Sequence, residues 1–315
     1  MSFSDWIAAR IRYRRFARGG QNIERRYAAL HPYWEPHLEA SRKAQREWKA
    51  AGRRLLVIGA GRLLDFEESL ADRFDEIFLL DADPTSAPRW RDLERQLKGR
   101  AAVDWDLREI TGKYDPWRMF LETQLTRLPR AGRWEAALNL LEQMIEVPLP
   151  RWPAADAVLS LNTLSQLPVG WREIVEELLV RAFGQAQVRA NEQAWLAALH
   201  KSSLRLVQDH LALIARSRAA DALVVTDVTF HDYREEQPYP RTHYRPAPEM
   251  AQSVVVDALH GVNLLVELEA RGWRGKRTAG WCWHISPLGL EAPESGSFNR
   301  VEAFELHRPQ PDTSA

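Results

Sequence analysis

RRLLVIGAGRLLDFE, Arg53 to Glu67, is the stretch on which the reading of the whole chain turns. Four apolar residues, Leu55 to Ile58, run into Gly59-Ala60-Gly61 and then Arg62-Leu63-Leu64. This is the pattern of a buried strand that ends in a glycine turn and leaves as a helix, here expected over about residues 63–73. A turn that cradles a pyrophosphate continues to a third glycine, which lets the helix pack closely on the strand and frees its first amides. Leu63 stands in that place. The turn is therefore poorly suited to a pyrophosphate, and what it offers is the backbone freedom of Gly59 and Gly61.

Working outward, short apolar runs alternate with helical segments. EIFLLDADP is a second buried strand ending at Asp81-Ala82-Asp83-Pro84, AAVDWDL a third, ADAVLSLN a fourth and DALVVTDVTF a fifth. Asp83 has the position of a helix cap. Such spacing predicts a parallel sheet covered on both faces, a doubly wound α/β domain. GKRTAGWCWHISP and FNRVEAFELHRP then read as an antiparallel pair at the sheet edge, which brings the expected sheet to seven strands. The polar, proline-rich run HDYREEQPYPRTHYRPAPEM reads as a loop, and PQPDTSA as a tail. The division expected is a helical cap over 1–52, with breaks at ARGGQN and LHPYWEP, a main domain over 53–308 and a tail over 309–315. Residues 113–152 are too long for a plain crossover and predict a helical insertion.

Composition narrows the partners. Lys plus Arg and Asp plus Glu are 43 each, so the chain is neutral overall and no bulk polyanion binder. Residues 1–54 nevertheless hold thirteen basic residues against five acids, a net of +8 balanced by the remainder. This arm offers contact to RNA or anionic membrane, but docking on the chain's own acidic body is favoured, because Trp6, Ile7, Ile11, Tyr13 and Phe16 are interleaved with its arginines. The arm and the insertion are expected to cover the carboxyl ends of the strands. Cys282 is the only cysteine, which rules out an internal disulfide and reads as a small core hydrophobe between Trp281 and Trp283. No His or acid cluster at ligand spacing accompanies the histidines of HPYW and WCWHISP, so no metal is expected. With no signal-peptide pattern and no membrane-length apolar run, the expected compartment is the cytoplasm.

Ligands of open α/β sheets bind outside the carboxyl ends of the strands. Those ends carry Gly59 to Gly61, Asp81, Asp104 and Asp106, Ser160 and Asn162, and Asp227 with His231. Five βα units followed by a helix and an antiparallel hairpin resemble the class I S-adenosylmethionine-dependent methyltransferases from about residue 53 to 307. The resemblance implies that Gly59, Ala60 and Gly61 approach the methionine and ribose of S-adenosylmethionine. It implies that Asp81, 22 residues after Gly59, accepts from the ribose hydroxyls, and that Asp106, or else Asp104, meets the adenine amino group. Ser160, Asn162 and Gln166 would lie near the methionine end and the acceptor, with Asp156 opening the fourth strand. His231, Asp232 and Tyr233 close the fifth strand, and His231 and Tyr233 are the candidates for a catalytic base.

Two departures from the family pattern bear on function. Val57 stands where an acid is common, and Leu63 where a third glycine is common. They support an alternative, a non-catalytic protein of the same fold that binds S-adenosylmethionine, its product or a protein partner. A nicotinamide- or flavin-linked oxidoreductase is disfavoured by Leu63 and by the antiparallel end of the sheet. LNTL at the fourth strand lacks the Asn/Asp-Pro-Pro-aromatic signature of enzymes that methylate a nucleobase or glutamine amino group, which leaves a small-molecule acceptor.

Overall fold

The computed structural model describes residues 14–128, 132–234, 253–287 and 295–309. Its helices and strands are, in chain order, α1 (Arg14–Glu47), β1 (Gly52–Ile58), β2 (Phe74–Asp81), α2 (Ala87–Gln96), β3 (Ala102–Leu107), α3 (Tyr114–Arg127), α4 (Arg133–Glu142), β4 (Ala157–Leu161) and α5 (Thr163–Phe183). There follow α6 (Gln185–Ala190), α7 (Glu192–Arg216), β5 (Asp221–Arg234), β6 (Ser253–Asp257), α8 (Leu264–Glu269), β7 (Arg274–Ser286) and β8 (Ser295–His307). The first thirteen residues of the basic arm, most of the proline-rich loop, the connection between β7 and β8 and the tail lie outside the described residues.

The sheet runs β3-β2-β1-β4-β5-β8-β7. β1 to β5 are mutually parallel, while β8 is antiparallel to both β5 and β7. It has eight strands, one more than the sequence pattern predicts. The addition is β6, whose Val254, Val255 and Val256 are exposed and pair antiparallel with the far half of β5. β5 can take it because β4 stops pairing at Val225, and the bulge between Asp227 and Thr229 marks the change of neighbours.

No α-helix follows β1. Leu63 turns the chain at φ 59° and only a short 3-10 helix, Glu68–Asp72, forms before β2. The sheet face left bare is covered by α1, whose Leu30, Trp34, His37, Leu38, Ser41, Ala44 and Gln45 recur at helical spacing and are buried. This helix is continuous through Gly19-Gly20 and through Pro32 and Pro36, where sequence predicts breaks. Tertiary contact outweighs the lost backbone bonds there: Trp34 Nε1 donates to the Ile285 carbonyl at 3.1 Å, and Trp34 itself is buried. Ala44 and Trp48 join the core of that face beside Leu55, Val57, Leu79 and Leu159, while α7 and α8 close the other face over Leu56, Ile58, Val158 and Val224.

A third core contains no strand residue. Tyr114, Trp117, Trp171, Ile174, Trp195 and Leu199 draw α3, α4, α5, α6 and the first half of α7 into a helical unit, attached at the carboxyl ends of β3 and β4. The expected helical insertion is α3 and α4 within this unit. Among the described residues no helix is long and apolar enough to cross a membrane.

Candidate functional site

The glycine turn is built against β2 and β4. Gly59, at φ 71°, donates to the Leu80 carbonyl at 2.9 Å, and a β-carbon on it would lie 1.7 Å from Thr163 Oγ1. Ala60 is buried. Gly61 differs, for a β-carbon there would meet nothing closer than 3.8 Å, so its outer side is open. Its N–H donates to Asp81 Oδ2 at 3.0 Å and its carbonyl accepts from Trp90 Nε1 at 2.8 Å. Asp81 Oδ1 accepts the N–H of Asp83 at 2.8 Å. Burial raises the Asp81 carboxyl to about 6, against the pull of these amides and with Asp83 adding to the rise.

At the end of β3, Asp106 forms an ion pair with Arg108, whose own N–H donates to the Asp81 carbonyl at 3.0 Å. Asp104, on the same side of the strand, is exposed. Asp83 proves to be a cap, accepting from Thr85 N at 2.8 Å, and α1 crosses beside it: a β-carbon at Gly20 would sit 1.8 Å from Asp83 Oδ2. Arg62, pointing away from the turn, donates to the Gly20 carbonyl at 2.9 Å and pairs with Glu24 at 3.0 Å.

At the end of β4 the expected residues separate. Ser160 is fully buried, its hydroxyl 3.0 Å from His210 Nε2 on α7, so it faces the sheet's packed side rather than the glycine turn. Asp156 accepts from Arg54 N at 2.7 Å and anchors the opposite end of the sheet. Asn162 does face the turn. It holds φ 47°, a backbone conformation costly for a side-chain-bearing residue, and its Nδ2 donates to Asp65 Oδ2 at 3.2 Å. Gln166, with Ser165, donates instead to Asp227 Oδ2, at 3.1 and 2.9 Å.

Three more residues complete the rim, of which Asp65 and His37 were not singled out from sequence while Asp227 was placed at a strand end. Asp65 lies between Asn162 and Ser41 of α1, and burial lifts its carboxyl to about 6 against the pull of Arg42. His37 of α1 accepts from Trp281 Nε1 at 2.9 Å and stacks on Trp283 at 4.2 Å; burial, then Arg42, lowers its pKa to about 3, so it is neutral. Asp227 is fully buried beside the β5 bulge, its carboxyl raised by burial to about 6. Asp65 was within the stretch that opens this reading, but a helix there would have turned it away.

His231 and Tyr233 are not brought to the turn. They lie six and eight residues beyond Val225, the last partner of β4, on the order of 20 Å or more along the strand. His231 sits 2.8 Å from Thr229 Oγ1 and stacks on Phe298 at 4.3 Å, and Tyr233 is buried against the same ring. Cys282 is partly buried, and burial raises its thiol pKa, which keeps it unreactive.

Asn162 Oδ1, Asp227 Oδ1 and Trp283 Nε1 are among the buried polar atoms without a hydrogen-bond partner, as are others in separate cores, such as Trp195 Nε1 and Trp273 Nε1. Buried polar atoms are paired as a rule, so Asn162 Oδ1 and Asp227 Oδ1 have capacity for a ligand's donors. With Gly61 open beside Asp81, the residues present fit a ligand that brings hydroxyls and a polar tail. No group of three or more His, Cys, Asp or Glu able to hold a metal occurs among the described residues.

No protein-family model and no curated protein matches the sequence. Solved structures do. A DhpI–SAM–HEP complex is 12% identical, with 98% of this chain and 100% of that chain covered and a TM-score of 0.36. The YcgJ protein of Bacillus is 12% identical, covering 86% and 100%, at 0.39. Magnesium protoporphyrin IX methyltransferase from Synechocystis PCC 6803 with bound SAH is 8% identical, covering 93% and 95%, at 0.42. Identities and scores this low add nothing to what the strand order itself fixes.

Proposed function

We infer that this chain is a class I S-adenosylmethionine-dependent methyltransferase with a small-molecule acceptor. The observation that carries the reading is the sheet order β3-β2-β1-β4-β5-β8-β7, with β8 inserted antiparallel between β5 and the edge, together with the Asp81 carboxylate held at the glycine turn. That order is the one the class I family shares.

S-adenosylmethionine, when bound, supplies a methyl group on a positively charged sulfur. The chain's own part is to hold and orient. Gly59 and Ala60 set the turn, and Gly61 leaves its outer side free for close approach. Asp81 is the acceptor for two ribose hydroxyls, its carboxylate fixed by two amides from behind. Asp106, or Asp104 beside it, is assigned to the adenine amino group. Asn162 and Asp65 take the methionine end, where Asp65 supplies the carboxylate that Val57 cannot, since Val57 is buried in the core. Ser160 is left out of this set because its hydroxyl is engaged by His210. Asp227 is better placed than His231 or Tyr233 to accept a hydrogen bond from an acceptor, because it lies at the β5 bulge just past the end of β4. Transfer needs no strong base if the acceptor is well placed.

A dinucleotide is disfavoured by the local backbone. The turn leads into Leu63 at φ 59° and not into a helix, so the amides that would meet a pyrophosphate are missing. Calorimetric titration with S-adenosylmethionine, S-adenosylhomocysteine and NAD is the test. The reading expects one-to-one binding of the first two and none of the third; binding of NAD alone would overturn it. Binding without methyl transfer to any small-molecule panel would favour the non-catalytic alternative.

A further inference from the structure

Most arginines of α1 are engaged. Arg15 pairs with Glu177, Arg26 donates to the Ile285 carbonyl at 3.0 Å, and Arg42 and Arg46 pair with Glu35, Glu39 and Glu67. Arg14 and Arg18 are exposed and have no hydrogen bond or ion pair among the described residues. Four residues apart, they share one face of the helix, and Arg25 continues the same stripe with only a 3.5 Å contact to Asn22.

That face is one wall of a groove of about 1100 Å³, opposed by α3 and α5. Small-molecule sites run to about 300–1,000 Å³, so the groove is large enough for one. Its floor is apolar: Phe16 stacks on Tyr114 at 5.9 Å and 15°, and Ile174 and Leu178 are buried beneath. Met119 of α3 stands 61% exposed at its side. Charge on the walls is uneven. Glu177 is held by Arg15 and Arg181, and the Glu109 carboxylate accepts the N–H groups of Thr111 and Lys113, both at 2.8 Å. Asp115 and Glu173 also line the groove and make no ion pair among the described residues, and Arg14, Arg18 and Arg25 outnumber them.

We propose that this groove binds a small organic anion, an apolar ring or chain that ends in a carboxylate. The carboxylate lies at Arg14 and Arg18, where guanidinium groups give it paired, charge-assisted hydrogen bonds. The apolar body lies against Met119. None of the residues assigned to the cofactor lines the groove. Anion binding in this groove does not depend on the methyltransferase reading.

The experiment is calorimetric titration of the full chain, without cofactor, using 2-naphthoate, decanoate and the neutral 2-naphthamide. At least one of the two carboxylates is expected to bind one-to-one, the amide to bind at least about tenfold more weakly, and affinity to fall as salt rises. The double variant R14A/R18A should weaken the carboxylate by about tenfold or more, while R14K/R18K should retain part of the affinity. Both side chains are exposed and make no ion pair among the described residues, so the double variant should melt as the native protein does. Failure of both carboxylates to bind, equal binding of the amide, or unchanged affinity in R14A/R18A would overturn the proposal. Titrating R14A/R18A with S-adenosylmethionine keeps the two readings apart: cofactor affinity should be unchanged there, and its absence from the native protein would sink the cofactor assignment alone.

Discussion

Asp81 Oδ2 accepts the N–H of Gly61 at 3.0 Å, so the acid that ends β2 also fixes the turn that ends β1. One side chain thus shapes both halves of the proposed ribose site. Charge-assisted hydrogen bonds to two hydroxyls are worth about 2–3 kcal/mol in total, so Asp81→Ala should weaken S-adenosylmethionine binding about 30- to 150-fold. Because burial raises this carboxyl to about 6, the ionised acceptor is depleted below that pH, and native affinity should decline with acidification through it. Titration calorimetry across pH reads both effects, and a folded Asp81→Ala protein with native affinity would remove the residue from the site.

Gly59 should be intolerant of any side chain for a reason that Gly99 does not share. Both have positive φ, 71° and 87°, but a β-carbon at Gly59 would lie 1.7 Å from Thr163 Oγ1 and 2.5 Å from the Leu161 carbonyl, while at Gly99 nothing lies within 4 Å. Gly99→Ala should cost about 1 kcal/mol from backbone strain alone. Gly59→Ala should cost about 2–3 kcal/mol more, because backbone must shift as well. Urea unfolding of the two variants measures the difference. Equal losses would mean that the turn is not wedged against β4.

The strands were legible because a buried parallel strand is a short apolar run bounded by turn residues, and Leu55 to Ile58, Ile77 to Leu80 and Ala222 to Val225 are runs of that kind. The helix expected after Gly61 was not, since Leu63 and Leu64 fit a helical face in sequence while Leu63 adopts φ 59° in the fold. α1 was misjudged for the converse reason: Pro32 and Pro36 argue locally for a break, and the contacts of Trp34 and His37 with β7 decide otherwise. Of the proposed site, Gly59, Gly61, Asp81 and Asn162 are the residues that strand ends point to in sequence. His37 could not be named in that way, because it meets Asn162 only after α1 has docked across the sheet, and Asp65 could not, because the segment after Gly61 reads as a helix in sequence. Ser160 was misplaced by one step of the strand's alternation, which turns it to His210.

His210 makes an acid-sensitive point in the core. It is fully buried beside Ser160, and burial depresses its pKa from 6.5 to about 3. The native state therefore binds fewer protons at this site than the unfolded chain between about pH 3 and 6.5, so its contribution to stability is full above that window and is lost as pH falls through it. His210→Gln removes this titration. The stability difference between variant and native protein should move in the variant's favour on acidification from about pH 7 to about pH 4, measured by urea unfolding at each pH, and a difference independent of pH would show that His210 is not buried neutral.

Lys113 and Asp209 form a buried ion pair that ties the start of α3 to α7. Nζ and Oδ2 are 2.9 Å apart, the side chains are 1% and 5% exposed, Nζ also donates to the Val147 carbonyl at 3.2 Å, and Arg205 holds the other side of Asp209 at 3.0 Å. A buried pair contributes little over apolar residues of the same size, but removing one partner strands the other in a medium that cannot solvate it. Lys113→Met should therefore cost about 3 kcal/mol, somewhat less than a fully isolated pair because Arg205 still faces the carboxylate. The double variant K113M/D209L should recover most of that loss, since Arg205 is about half exposed and can turn its charge to water. Unfolding of the native protein, both single variants and the double variant closes the cycle. If the two single losses simply add in the double variant, the charges are not coupled and α3 is held to α7 by its aromatic core alone.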